Sequence, residues 1–178
     1  MRIGLVRHFP VQEAWPSGWI TSADLQQWRG RYDASEPIIG PIDVGGHAWQ
    51  HCFSSDLKRA FATAQEAYSG TIVQTPLLRE VETPPFSTGR LRLPLWAWRW
   101  VFRLAWLTGH KSQRAARDDL HRRVRAMVDL LEAEPVDTLV VSHAGMMLFL
   151  RKELIRRGFQ GPNFRLADHG RLYVLERP

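Results

Sequence analysis

Short apolar runs of strand length alternate along this chain with segments of helical periodicity, and that alternation limits the fold more than any other feature. Ile3 to Val6 reads as a short buried strand. Ser22 to Tyr32 reads as a helix, with Ser22 as its cap and Leu25 and Trp28 on one face. Ile38 to Gly46 contains Pro41 and the Gly45-Gly46 pair and reads as a loop. His51 to Ser54 is a strand, and Asp56 to Tyr68 is a helix capped by Ser54 or Ser55, with Leu57, Ala60, Phe61 and Ala64 along one side. Thr71 to Gln74 is a further strand, and Leu78 to Leu93, with Pro84, Pro85 and Gly89, is irregular. A long helix runs from about Gln113 to Glu134, where Leu120, Val124, Met127, Val128 and Leu131 recur at helical spacing. Thr138 to Val141 has the composition of a fully buried strand, Gly145 to Arg157 is a helix ended by Gly158, and Leu172 to Leu175 is the last strand.

This order predicts an α/β fold, a three-layer sandwich with a mostly parallel central sheet and helices on both faces. With 178 residues and 44% apolar composition, the expectation is one domain over residues 1–178 with one sizeable core. Ligands of such sheets bind beyond the carboxyl ends of the strands. That rule selects Arg7-His8 after the first strand, Ser54-Ser55 with Arg59 after the second, Arg79-Glu80 after the third and Ser142-His143 after the fourth. Two histidines, two or three arginines and one carboxylate are thus expected on one rim.

A phosphate monoester carries close to two negative charges, and guanidinium groups match its oxygens. A neutral imidazole can attack phosphorus to form a phosphohistidine. A carboxylic acid beside the leaving oxygen can protonate it and then deprotonate the incoming water. The arginines supply the positive charge, so no cofactor and no metal are expected. A divalent metal on His8, His143 and Glu80 is an alternative that Arg7 and Arg59 make electrostatically poor.

The segments Arg7-His8, then Ser54-Ser55-Asp56-Leu57-Lys58-Arg59-Ala60 with Thr63-Ala64, then Leu78-Arg79-Glu80, then Val140-Val141-Ser142-His143-Ala144-Gly145, resemble in kind and order the histidine phosphatase superfamily, also called phosphoglycerate mutase-like. The resemblance covers residues 2 to about 150. It implies that His8 is the phosphorylated nucleophile, that Arg7, Arg59 and His143 hold the phosphoryl group, and that Glu80 is the general acid, with Glu82 as the substitute if the loop is shifted. The chain departs from the family pattern at Phe9-Pro10, where glycine is usual after the histidine, and at Ala14-Trp15, where an asparagine often contacts phosphate. It departs again at Ala144, in place of a first glycine, and at Val81-Glu82-Thr83-Pro84-Pro85, in place of an aromatic-rich motif. The stretch from Gly46 to Ser54 is too short for the family's first long helix, so Ser22 to Tyr32 is expected in a different place. The implied activity is a metal-independent phosphomonoesterase; phosphoglycerate mutase activity is not supported. A phosphate- or phosphoprotein-binding module without turnover is the alternative.

Lys and Arg number 24 against 18 Asp and Glu, giving a formal charge of +6. The excess favours anionic partners, and the resemblance narrows them to a small phosphorylated substrate or a phosphoprotein. No run of five like charges marks a specific nucleic-acid tail. Cys52, the single cysteine, reads as a small buried hydrophobe. The first residues lack a secretory signal pattern, and the expectation is a cytoplasmic protein. The sequence assigns no oligomeric state. The stretch 93–107, LPLWAWRWVFRLAWL, is shorter than a bilayer span and is interrupted by Arg99 and Arg103. Core packing of its aromatic side is the favoured reading over a membrane or partner patch. Trp15, Trp19 and Trp28 are expected in the core or a pocket wall, and His47, His51, His110, His121 and His169 at the surface or in loops. Lys111 and Ser112 fall where family members often place a substrate-facing loop.

Overall fold

A computed structural model describes residues 1–84 and 88–178; Pro85 of the Pro84-Pro85 pair therefore lies outside the described residues. The strands are β1 (Arg2–Arg7), β2 (Trp19–Ile20), β3 (His51–Ser55), β4 (Ile72–Thr75), β5 (Leu93–Pro94), β6 (Thr138–Ser142) and β7 (Leu172–Glu176). The helices are α1 (Ser22–Ala34), α2 (Lys58–Ala67), α3 (Leu95–Leu107), α4 (Lys111–Ala133) and α5 (Ala144–Arg156), and a single 3₁₀ turn spans Pro76–Leu78.

The main sheet has the order β4-β3-β6-β1-β7. β1, β3, β4 and β6 are parallel, and β7 runs antiparallel to β1 at the edge. β6 lies between β1 and β3, so the chain order reverses there and the rim above these three strands is a topological switch point.

Side-chain alternation along the central strands fills both faces. Ile3, Leu5 and Val140 point to the face covered by α4 and α5, where Leu120, Met127, Leu131, Met146 and Leu150 are fully or almost fully buried. Val6, Leu139 and Val141 point to the other face, against Trp49, Cys52 and the Ala60, Ala64 and Ala67 stripe of α2. Both faces of β1 and β6 are covered, which accounts for their continuous apolar runs. Gly4 is required by this packing, because a Cβ there would sit 2.7 Å from the Trp49 ring. Burial pushes the Cys52 thiol up to about 12, in keeping with its reading as a hydrophobe.

Several local expectations shift. The cap of α1 is Thr21, not Ser22: its hydroxyl accepts from Asp24 N–H while the Asp24 carboxylate accepts from Thr21 N–H, a complete capping box. α2 begins at Lys58, and neither Ser54 nor Ser55 caps it. Asp56 is held outside the helix by a bidentate pair with Arg79, and the Ser54 hydroxyl donates to Ser55 O. α4 starts at Lys111, two residues earlier than its periodicity predicts.

The tryptophan-rich stretch is the largest departure. Its first two residues form a short ribbon with β2, and only Trp98 of the helix is fully buried, donating its indole N–H to Ile20 O at 2.8 Å. Trp96 and Trp100 are 68% and 59% exposed, so the aromatic side is divided between core and surface and does not simply pack inward. Trp15 and Trp19 are also exposed, whereas Trp28 is buried with Trp15 stacked on it at 4.8 Å.

Candidate active site

The register of β1 on β6 creates the site. Arg7 pairs with Ser142, so His8 and His143 occupy the next positions of two parallel neighbours. The His8 N–H continues the ladder to Ser142 O at 2.9 Å, and the two imidazole centroids lie 4.9 Å apart. On the other side of β6, Ser54 pairs with Val141, which brings the Ser55 hydroxyl to 2.9 Å from His143 Nε2. His8, Arg59 and His143 are each at most 2% exposed.

The protonation pattern of His8 follows from its partners. Its Nδ1 lies 2.5 Å from Phe9 O, which only accepts, so Nδ1 carries the hydrogen. Arg59 Nε, which only donates, points at His8 Nε2 from 3.2 Å, so that nitrogen presents its lone pair. Burial, followed by the Arg59 guanidinium, holds His8 well below the usual imidazole range. The result is a neutral imidazole whose lone pair lies on Nε2 and faces Arg59. Phe9 fixes the loop behind it: its N–H donates to Thr63 Oγ1 at 2.8 Å, and that hydroxyl donates to Arg59 O. One threonine on α2 thus ties the loop after His8 to the arginine that faces the ring.

Arg59 is oriented by Asp33, whose carboxylate accepts from Nη1 at 2.8 Å, and its guanidinium lies 5.0 Å from the Tyr32 ring centroid. Arg7 Nη1 donates to Ala167 O at 2.8 Å, and burial lowers its pKa. Two buried donor-capable atoms have no hydrogen-bond partner among the described residues near this rim: Arg7 Nε and His143 Nδ1. Such groups are costly when unsatisfied, and both suit an oxyanion. Burial, then His8 and the arginines, push His143 well below the usual range.

Glu80 reaches the site from beyond β4 but is engaged by the start of α5. Its carboxylate accepts from Val81, Gly145 and Met146 N–H at 2.8, 3.3 and 3.1 Å. An anion there is favoured by the positive end of the helix. It also explains Gly145, because a Cβ would stand 2.6 Å from Glu80 Oε1. With both oxygens so committed, Glu80 does not join His8 and His143 as a metal-ligand set; no group of three such side chains among the described residues does. Glu82 is exposed on the same loop.

A cleft of about 410 Å³ runs beside this rim. Arg29 and Asp33 of α1 form one wall, and Arg79, Glu80, Glu82 and Pro84 form the other. α1 thus supplies one wall of the cleft. Lys111 and Ser112 do not line the cleft. A second cleft, by Arg2, His47 and Glu176, lies at the opposite end of β1.

His169, expected only at the surface or in a loop, lies in the loop before β7 and also meets this rim. His169 is half-buried, its ring centroid is 5.2 Å from that of His8, and its Nδ1–H donates to His8 O at 2.6 Å. Gly170 N–H donates to Arg7 O at 2.9 Å. β7 is antiparallel, so its beginning, not its end, meets the rim. Reading only carboxyl ends of strands passes over it; the Asp168-His169-Gly170 run just before the last strand is the signal that finds it.

The family model described as histidine phosphatase superfamily (branch 1) matches residues 43–177, so the matched span begins after Arg7-His8. No curated protein sequence matches the chain. Among solved structures, the chain is similar to an Escherichia coli protein described as a candidate alpha-ribazole-5'-P phosphatase. Identity is 21%, the match covers 98% of this chain and 89% of that one, and the TM-score is 0.55. A structure titled mycobacterial hydrolase 2 matches at 19% identity over 87% of this chain and 72% of that one, with TM-score 0.52. A Thermus thermophilus structure titled phosphoglycerate mutase matches at 22% identity over 98% and 92%, with TM-score 0.49.

Proposed function

Since the chain belongs to the histidine phosphatase superfamily, we propose that it is a metal-independent phosphomonoesterase with His8 Nε2 as nucleophile. The observation that carries this reading is the fixed state of His8: Nδ1–H is spent on Phe9 O, and Nε2 faces Arg59 Nε at 3.2 Å. The bound monoester places its oxygens against Arg7 Nε, Arg59 and His143 Nδ1. In this reading the Ser55 hydroxyl, which accepts from Leu57 N–H, gives its own hydrogen to His143 Nε2, so that His143 Nδ1 is a donor to phosphate.

In the first step a P–N bond forms at His8 and the P–O bond to the leaving alcohol breaks. Before that attack Arg59 Nε moves its hydrogen bond from His8 Nε2 to a phosphoryl oxygen, which frees the Nε2 lone pair. Glu80, on the cleft wall, first exchanges a backbone hydrogen bond for a proton taken up from solvent and then gives that proton to the leaving oxygen; Glu82 is the alternative acid. In the second step water, deprotonated by that carboxylate, attacks phosphorus, the P–N bond breaks with its electron pair returning to His8 Nε2, and phosphate leaves. Water is the acceptor in this reading, so exchange of phosphate between two hydroxyls of one substrate is not expected. Substrates are small phosphorylated molecules or a phosphorylated side chain that enters the cleft.

The capture of Glu80 by α5 favours a second reading, a phosphate-binding module without turnover. Steady-state hydrolysis of a panel of aryl and alkyl phosphates from pH 5 to 8, pH values chosen to span the ~6.5 of a free imidazole, separates the two. The phosphatase reading expects turnover with no loss as pH falls through about 6.5, because His8 stays neutral below that value. Vanadate or phosphate binding with no turnover across the panel supports the second reading and removes the first.

A further inference from the structure

Between Glu82 and Asp118 the chain has no acidic residue and seven basic ones: Arg90, Arg92, Arg99, Arg103, Lys111, Arg114 and Arg117. Within this span α3 presents Trp96, Trp100, Leu104 and Leu107, which are 68%, 59%, 56% and 66% exposed. Their spacing of four, four and three places them on one helical face. Arg99 and Arg103 are exposed between them, and the Arg103 guanidinium lies 5.9 Å from the Trp100 ring centroid. The opposite side of the helix is anchored by fully buried Trp98 and by Trp106 against Phe149. None of the described helices is long and apolar enough to cross a membrane.

We propose that this face of α3 docks on the surface of an anionic lipid bilayer, lying in the headgroup region without spanning it. Large apolar side chains flanked by arginine on a short helix are the composition of an interfacial helix, and tryptophan favours the headgroup level. The uninterrupted positive charge of residues 83–117 complements anionic headgroups. A second copy is a poorer occupant, because facing α3 helices would oppose Arg99 and Arg103 with no local carboxylate to pair them. Trp98 and the β2–β5 ribbon tie α3 to the start of α1, whose later residues form a cleft wall. Docking by α3 therefore sets the cleft beside the lipid headgroups.

The test is cosedimentation of the full chain with vesicles of phosphatidylcholine alone or with roughly one-third phosphatidylglycerol, at low and physiological salt, with tryptophan fluorescence read in parallel. Binding to the anionic vesicles only, with a blue shift and weakening by salt, is expected. Arg99→Ala with Arg103→Ala, and separately Trp96→Ala with Trp100→Ala, are each expected to lower partitioning on the order of tenfold or more. All four side chains are exposed, and unchanged circular dichroism and thermal unfolding verify that the variants fold. Absence of sedimentation with anionic vesicles, equal sedimentation with neutral ones, or variants that bind like the parent protein overturn the proposal. Self-association abolished by the tryptophan variant, without vesicle binding, gives the face to a second copy and likewise overturns it.

Discussion

Replacing His8 by alanine is expected to lower phosphate release from an aryl phosphate by about 10⁴-fold or more, because it removes the atom that forms the P–N bond. His143 is the nearest imidazole, at 4.9 Å between ring centroids, but its Nε2 is engaged by Ser55. The substitution removes a side chain that is 2% exposed and bonded to Phe9 O and Arg59. Vanadate binding and thermal unfolding of the variant therefore accompany the rate measurement. A folded, vanadate-binding protein without turnover is the expected outcome. Turnover at the parent rate by the alanine variant contradicts the nucleophile assignment.

The second large effect concerns the proton. Glu80→Gln keeps the shape of the side chain and an oxygen for the α5 N–H groups, but it removes the titratable hydrogen. General acid catalysis contributes roughly 10²- to 10⁴-fold, and only when the leaving group needs a proton. The rate on an alkyl phosphate is therefore expected to fall by about 10³-fold, and the rate on a nitrophenyl phosphate much less. Glu82→Gln should leave both rates nearly unchanged. The reverse pattern, with Glu82→Gln carrying the leaving-group dependence, transfers the role to the exposed carboxylate. Glu80 then serves only to hold the start of α5.

The sequence order of strands and helices, with chemistry at strand ends, makes the rim legible: His8 follows β1, Arg59 lies on α2 and His143 follows β6. Their convergence depends on β6 entering between β1 and β3, a long-range pairing that local periodicity does not encode. His169 escapes because an antiparallel edge strand offers its first residues to the rim. The start of α2 is displaced by a partner 23 residues away, Arg79, which draws Asp56 out of the helix. The exposure of α3 is hidden for another reason. A helix apolar on most sides has the pattern of a core element, and only the packing around Trp98 reveals which face is left uncovered. Glu80 is legible as a carboxylate on the rim, but its bonds to Gly145 and Met146 require the tertiary structure.

Phosphoryl transfer through His8 requires a covalent phosphohistidine. Rapid mixing with excess aryl phosphate, quenching in alkaline detergent to preserve the acid-labile P–N bond, and peptide mass analysis measure it directly. One phosphoryl group on the peptide containing His8, formed within a single turnover and absent from His8→Ala, is the expected result. Turnover with no phosphorylated protein, or phosphate on any other residue, contradicts it.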